Sequence, residues 1–306
     1  MRDPFLITGP ALVSFSGGLT SGLMLRRILD AHGGSLPRDV HVVFSNTGRE
    51  RPETLDFVAE VERRWCPITW LERDASSREG YREVSFETAC RDGGPFAELI
   101  EERSFLPNGA MKFCTTELKI RVMRAFMLAR GHEAWTNVVG LRRDEPARVA
   151  KHHARNARGE NEWTTVVPLY DAKIYKRDVA AFWATQDFRL SLRSWEGNCD
   201  ACFMKGRRVR ERIFRDRPDL AAWWVSMEDR IGGTFIHGER YASTLARVRR
   251  LPLLPLDLEP EVERDESIDC ACTDRRVARR PSCSCGGGRG RGHALACVRV
   301  FGRGAR

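Results

Sequence analysis

The run Ala11-Leu12-Val13-Ser14-Phe15, followed at once by Ser16-Gly17-Gly18-Leu19-Thr20-Ser21-Gly22, constrains the fold more than any other stretch. A short apolar run of this kind is a buried strand. A helical pattern of apolar residues starts at about Thr20. A strand that turns sharply into a helix leaves the first N–H groups of that helix without acceptors, with the helix dipole behind them. Such a turn favours an anion. Gly17 and Gly18 permit unusual dihedrals and remove the Cβ atoms that would hold phosphate oxygens away. Ser16, Thr20 and Ser21 add hydroxyl donors. The loop is not a Walker A sequence, because no lysine follows the glycines, and it lacks G-x-G-x-x-G.

The same alternation recurs downstream. Leu23, Met24, Ile28 and Leu29 mark a helix face, and Val40 to Phe44 form a β-branched run that ends at Asn46-Thr47-Gly48. Leu55, Val58, Val61 and Trp65 mark a second helix, and Ile68 to Leu71 a third strand. Ile120, Met123, Phe126 and Met127 suggest another helix, and Thr136 to Leu141 a strand that ends at Gly140-Leu141-Arg142. Further helices are read over 176–183, 207–217 and 218–231, with Trp223 and Trp224 as packing residues. Strands and helices in alternation predict an α/β domain, a parallel sheet with helices on both faces. Ligands of such folds lie beyond the carboxyl ends of the strands. The Ser16 loop, the Asn46 turn and the Gly140 turn would all emerge there.

Charge bears on the tail more than on this domain. Residues 275–306 hold nine arginines with neither lysine nor acid, which accounts for the whole net charge of +9. This Arg/Gly-rich stretch has almost no apolar periodicity, so it is read as disordered, a dispensable extension in preference to a non-specific binder of polyanions such as nucleic acid. The organisation expected is a nucleotide-binding domain over 1–195, a cysteine-bearing helical region over 196–274 and the tail. Residues 251–258 read as extended and 259–269 as an acidic linker. No run approaches the roughly 18 apolar residues of a membrane span, and the N-terminus has no signal-peptide core, so the expected location is the cytoplasm.

Ten cysteines in such a chain argue for metal or redox chemistry rather than a disulfide frame. Cys66 and Cys90 are isolated and read as structural, and Cys283, Cys285 and Cys297 lie in the tail. Cys199-Asp200-Ala201-Cys202 has the spacing at which two thiolates bind one metal or two corners of a cluster. Cys270-Ala271-Cys272 offers one or two more, and Cys114 a fourth. Four such donors suit either a [4Fe–4S] cluster or zinc. Asn46-Thr47-Gly48, with Glu53-Thr54 five residues on, either bonds a base or ribose or caps the next helix through Glu53. Arg142 or Arg143 can grip phosphate or sulfate. Asp144 or Glu145 then holds Mg²⁺ or pairs with the arginines.

The ordered set of Ser16–Ser21, Asn46-Thr47-Gly48 with Glu53-Thr54, the run 112–119 (Lys112-Phe113-Cys114 to Lys119), Gly140-Leu141-Arg142, the run 197–203 around Cys199 and Cys202, and 269–272 resembles the phosphoadenosine phosphosulfate (PAPS) reductase family. That family lies within the PP-loop, or adenine nucleotide α-hydrolase-like, superfamily, and the resemblance is nearest to a bacterial and phage branch. It covers about residues 11–274.

The resemblance implies a Rossmann-like sheet and an adenine nucleotide held by Ser14, Ser16, Gly17, Gly18, Thr20 and Ser21. Asn46, Thr47, Gly48 and Gly140 would lie near the nucleotide. Arg142 and Lys119 are the candidate catalytic cations. A [4Fe–4S] cluster, with zinc as the alternative, would be held by Cys114, Cys199, Cys202 and Cys272 or Cys270. Thr20 stands where the family's loop often has Asp, and Asn46 where many relatives have Asp. The chain also lacks the Glu-Cys-Gly-x-x-His type of element that ends the family's reductases. The preferred expectation is therefore an enzyme that takes Mg²⁺-ATP or a related nucleotide, acts at its α-phosphate or sulfate end, and couples this to sulfur transfer. The partner would be a sulfur donor or an electron-donor protein. The alternatives are a true PAPS or adenylyl sulfate reductase and a non-catalytic nucleotide-binding accessory of nucleic acid.

Overall fold

The structure is a computed structural model that describes residues 3–250, apart from 194 and 198. Cys270, Cys272, the acidic stretch and the tail lie outside the described residues. The chain order is β1 (Ala11–Ser14), α1 (Leu19–Ala31), β2 (Val40–Ser45), α2 (Pro52–Arg64), β3 (Thr69–Arg73), β4 (Tyr81–Val84), α3 (Gly94–Arg103) and α4 (Phe113–Thr115). A π-helical turn (Thr116–Ile120) joins α4 to α5 (Arg121–Ala129). Then come β5 (Trp135–Val139), α6 (Pro146–Arg158), β6 (Trp163–Val166), α7 (Pro168–Asp171), α8 (Lys176–Ala184) and α9 (Arg207–Asp216). A 3₁₀ turn (Pro218–Leu220) leads to α10 (Ala221–Ile231), and α11 (Tyr241–Arg250) follows.

The six strands form one sheet in the order β4-β3-β2-β1-β5-β6. All pair in parallel except β4, which runs antiparallel to β3. The fold is therefore α/β and Rossmann-like, with helices around a mostly parallel sheet. The central strands read as continuous apolar runs because both faces are covered. Val13, Phe15, Val42, Phe44 and Val138 face a cluster with α1, α2 and Trp183 of α8. Leu12, Val43 and Leu71 face α5 through Phe126 and Met127.

Strand order reverses at β1, whose neighbours are β2 and β5. The chain leaves β1 to build one half of the sheet and returns on its other side to build the second. A crevice at the carboxyl edge is the geometric result, and open α/β sheets bind ligands there.

The C-terminal helices share a different apolar cluster. Val209, Ile213 and Phe214 of α9, Trp224 and Met227 of α10, and Tyr241 and Val248 of α11 pack with Phe96, Leu99 and Ile100 of α3. The same cluster includes Leu118, Cys199 and Cys202, with Cys114 packed against it. The expected division near residue 195 thus runs through shared packing, because α3 and the segment before α5 line the same core as α9 to α11. Glu228 on α10, buried, accepts the Phe235 and Tyr241 N–H groups at 3.2 and 2.8 Å and fixes the α10–α11 connection. Burial raises the pKa of its carboxyl above the ordinary range.

Candidate functional site

The loop after β1 is organised by one side chain. The Ser21 hydroxyl accepts the N–H groups of Ser16 and Gly18 at 3.2 and 3.3 Å and donates to the Gly18 carbonyl at 3.0 Å. The Ser16 hydroxyl lies 3.0 Å from it. Ser21 thus holds the shape of the loop from within and is almost fully buried. Among the described residues, the N–H groups of Leu19 and Thr20, at the first turn of α1, have no hydrogen-bond acceptor. The electrostatic feature expected of an anion cradle is therefore present, and it consists of amides rather than of the Ser21 hydroxyl. Ser14, at the end of β1, faces sideways and donates to Asn137 of β5 at 2.9 Å.

Gly17 has φ +71°, and a Cβ there would lie 2.7 Å from the Thr54 methyl of α2. Both conformation and space demand glycine. Gly140 is needed for a different reason: a Cβ would lie 3.3 Å from the Ser21 Cα, because the end of β5 backs onto the start of α1. This close approach brings the next turn to the loop. Arg142 Nη1 donates to the Thr20 hydroxyl at 3.1 Å, joining the turns after β5 and β1 across the switch point. Arg142 is buried and also bonds Asp144 through Nε at 3.1 Å. Glu145 accepts the Arg142 N–H at 2.9 Å and pairs with Arg148. Of the two sequence readings of Asp144 and Glu145, the structure shows the ion pairing: both lie against Arg142, and Glu145 also pairs with Arg148.

The turn after β2 is directed inward. Asn46 is fully buried, and its amide donates to Glu72 at 2.7 Å and to the Cys90 carbonyl at 2.8 Å, while its oxygen accepts the Gly48 N–H at 3.1 Å. Thr47 donates to the buried Glu50 carboxylate, and Glu50 lies 3.6 Å from Lys119 Nζ. Asn46 therefore fixes the turn to β3 instead of facing a base or ribose. Glu53 lies in the first turn of α2 and pairs with Arg51 at 3.2 Å.

This turn carries something the sequence did not reveal. Arg49 and Arg51 reach across to the cysteine-bearing segment. Arg49 pairs with Asp200, lies 4.9 Å over the Trp223 ring, and its carbonyl accepts the Asp200 N–H at 2.9 Å. Arg51 approaches Glu196 at 3.7 Å. Glu50 and Cys199 form an antiparallel bridge, and the Thr47 hydroxyl lies 3.7 Å from Cys199 Sγ. Asp200 also accepts the Trp224 indole N–H at 2.7 Å. Burial raises the pKa of Asp200, against the opposing pull of Arg49. Two buried cations finish the seat: Lys205 donates to the Gly197 carbonyl at 2.6 Å, and Arg210 donates to the Lys205 carbonyl. No sequence signal distinguished these side chains from surface arginines and lysines.

Cys199 and Cys202 belong to one apolar cluster beside the β2 turn, and Cys114 packs against that cluster. Among the described residues no group of three or more His, Cys, Asp or Glu side chains forms a metal-holding set by itself. The donor chemistry, three thiols brought from two distant segments, fits the ligands of a thiolate-bound cluster or zinc and needs a further donor. The candidate fourth ligands, Cys270 and Cys272, lie outside the described residues. Cys66 behaves as a structural thiol: burial, then the charge of Glu62, pushes its pKa up to about 11.

The profile of the phosphoadenosine phosphosulfate reductase domain matches residues 10–191, more than half of the chain. The chain belongs to this family. Two curated phage relatives are similar to it. The uncharacterized nin region protein ORF290 of Escherichia phage lambda is 30% identical over 205 residues, covering 63% of this chain and 66% of that protein. An uncharacterized 37.8 kDa protein in the gpa 5' region of Escherichia phage 186 is 28% identical over 170 residues, covering 45% and 49%. The chain therefore spans just under two thirds and about half of these relatives' own lengths. Among solved structures, a phosphoadenylyl-sulfate reductase from Candida auris in a phosphate complex matches at 15% identity and TM-score 0.35, covering 58% of this chain and 72% of that one. The U34-tRNA thiolase NcsA from Methanococcus maripaludis, with its [4Fe-4S] cluster, matches at 12% identity and TM-score 0.36, covering 84% and 78%. No helix among the described residues is long and apolar enough to cross a membrane.

Proposed function

We propose that this PAPS reductase family member is a PP-loop enzyme that binds ATP, or a related adenine nucleotide, at the Ser16–Ser21 loop and acts at its α-phosphorus. The observation that carries the reading is the contact of Arg142 with Thr20. It places a cation and the acceptor-free amides of α1 at one point of the carboxyl edge. The amides hold the terminal phosphates. An acceptor oxygen attacks the α-phosphorus, the bond to the bridging oxygen of pyrophosphate breaks, and the acceptor leaves adenylylated. Pyrophosphate carries away the charge that develops on the leaving oxygen, and Arg142 offsets it. A preorganised donor of this kind is worth about 3–4 kcal/mol in the transition state. Positioning supplies much of the rest. To Lys119, which lies 3.6 Å from Glu50 beside the cysteine turn, this reading gives the role of second cation.

Cys114, Cys199 and Cys202, with Cys272 or Cys270, would hold an iron–sulfur cluster. When bound, that group would supply a sulfur-carrying or sulfur-activating centre. The protein's own residues bury Cys199 and Cys202, and Cys199 lies against the β2 turn. In a single-turnover assay, pyrophosphate released from ATP supports this reading. Sulfite released from a sulfonucleotide without pyrophosphate would overturn it in favour of a true reductase.

A further inference from the structure

The connection from β6 to α8 also leaves the carboxyl edge, since β6 runs parallel to β5. It carries a basic and aromatic surface that the chemistry above does not use. The Arg143 guanidinium lies 4.3 Å over the Tyr170 ring, and the Arg143 N–H donates to the Ile174 carbonyl at 2.8 Å. Lys173 follows, then Tyr175, which is 38% exposed, with Arg177 lying 5.1 Å over its ring. The Arg177 side chain is 82% exposed and Lys176 is exposed beside it. Four cations thus accompany two aromatic rings. Asp171 and Asp178 lie in the same stretch, but Asp178 accepts the Tyr175 N–H at 2.7 Å and caps α8.

The surface adjoins the nucleotide loop from two sides. Arg143 is the neighbour of Arg142, and Trp183 of α8 donates to the Leu19 carbonyl at 2.7 Å. We infer that Lys173, Tyr175, Lys176 and Arg177, with Tyr170 packed beneath them against Val139 and Leu141, form a seat for a single-stranded nucleic acid, the acceptor class for the nucleotide chemistry next to it. Cations that follow a phosphate backbone, interleaved with rings on which unpaired bases stack, are the recurrent solution for single strands. A duplex would hide the base faces that the exposed Tyr175 ring needs. The seat stands on its own residues, while its role as acceptor site rests on the function proposed above.

The test uses the full chain and a labelled 12-nucleotide single strand, as RNA and as DNA, with fluorescence anisotropy across a salt series. The nine arginines beyond residue 274 act equally in every variant, so differences report on the seat. Tyr175→Ala is expected to weaken binding by about fivefold to a hundredfold. The double variant Lys176→Glu, Arg177→Glu is expected to weaken it and to flatten the slope of log K against log salt by about 1.4. A duplex should bind more weakly than the single strand. Unchanged binding in both variants overturns the inference. So does loss in the charge variant with none in Tyr175→Ala, or equal competition by polyglutamate, because either result reduces the surface to a non-specific polyanion site. Calorimetry with ATP on the same proteins separates the two ideas. Variants that lose the strand but take up ATP as the wild type does support the seat, whereas a wild type that binds the strand and no ATP sinks only the nucleotide proposal.

Discussion

Gly17 shows how much a single position can hold. Its φ of +71° lies where a side chain is strained, and the Cβ of an alanine would meet the Thr54 methyl at 2.7 Å. Gly17→Ala is therefore expected to cost about 1–3 kcal/mol of stability. It should also displace the amides of the loop, so ATP uptake measured by calorimetry should disappear while the protein, though less stable, remains folded. The sequence made this glycine legible, because a glycine pair between an apolar run and a helix is a strong local signal. It could not show that Ser21 would be used inside the loop, since the hydroxyl's direction depends on where the start of α1 meets the loop. Arg142 is a second test at this scale. Arg142→Ala is expected to lower kcat/KM for pyrophosphate release by about 10² to 10³, and Thr20→Val by less, since the hydroxyl only orients the guanidinium. If steady-state assays find Arg142→Ala as active as the wild type, the site is elsewhere.

Beyond their apolar packing, several elements are fastened to one another by buried polar contacts. The Cys199–Cys202 turn is fastened from three directions: Arg49 from the β2 turn, Trp224 from α10, and Tyr241 from α11, whose hydroxyl donates to the Ala201 carbonyl at 2.8 Å. Asp200→Ala would leave Arg49 buried without its carboxylate, a change that typically costs about 3–5 kcal/mol. Urea denaturation should show that loss, and alkylation of Cys199 and Cys202 in the metal-free chain should become faster. Tyr241→Phe removes one neutral hydrogen bond and should cost about 1 kcal/mol. At the opposite edge of the sheet, His41 near the start of β2 lies Nε2 to Nε2, 3.2 Å from His132 after α5. Burial, then the nearby His132 and Arg130, lower the pKa of His41, against Asp39. The unfolded chain therefore takes up this proton first as pH falls. Stability is complete above about pH 6.5 and declines below it, until His41 is protonated in the folded state as well. His41→Asn should flatten the melting temperature between pH 6.5 and 5; an unchanged slope would remove His41 as its cause.

At the scale of the whole molecule, what the sequence disclosed follows burial. The four central strands were legible because both faces are covered and each carries a run of apolar residues, such as Val42-Val43-Phe44 and Val138-Val139. Tyr81–Val84 and Trp163–Val166 were not, because edge strands of four residues with charged or hydroxyl side chains carry no apolar run. Pro146–Arg158 was missed for a related reason: in that largely exposed helix only Val149 and His152 are buried. The cysteine motifs could be recognised in the chain, yet their meeting place could not. It depends on Arg49, Glu50 and Arg51, whose roles arise only once the C-terminal helices pack against α3. We propose that this packing makes the thiol site a property of the whole fold rather than of an attached module, and the proposal leads to a test of composition. Protein purified without oxygen is expected to carry about four iron and four sulfide per chain. Cys199→Ser and Cys202→Ser should each lower that content severely, while Cys66→Ser, at a thiol that burial holds protonated, should leave it intact. About one zinc per chain with no visible absorption would instead assign the thiols to a structural metal. Asp200→Ala discriminates further, because it alters no thiol. If the site is built by the fold, this variant loses metal together with stability; if the cysteines bind as an autonomous motif, metal content survives the loss of the Arg49 contact.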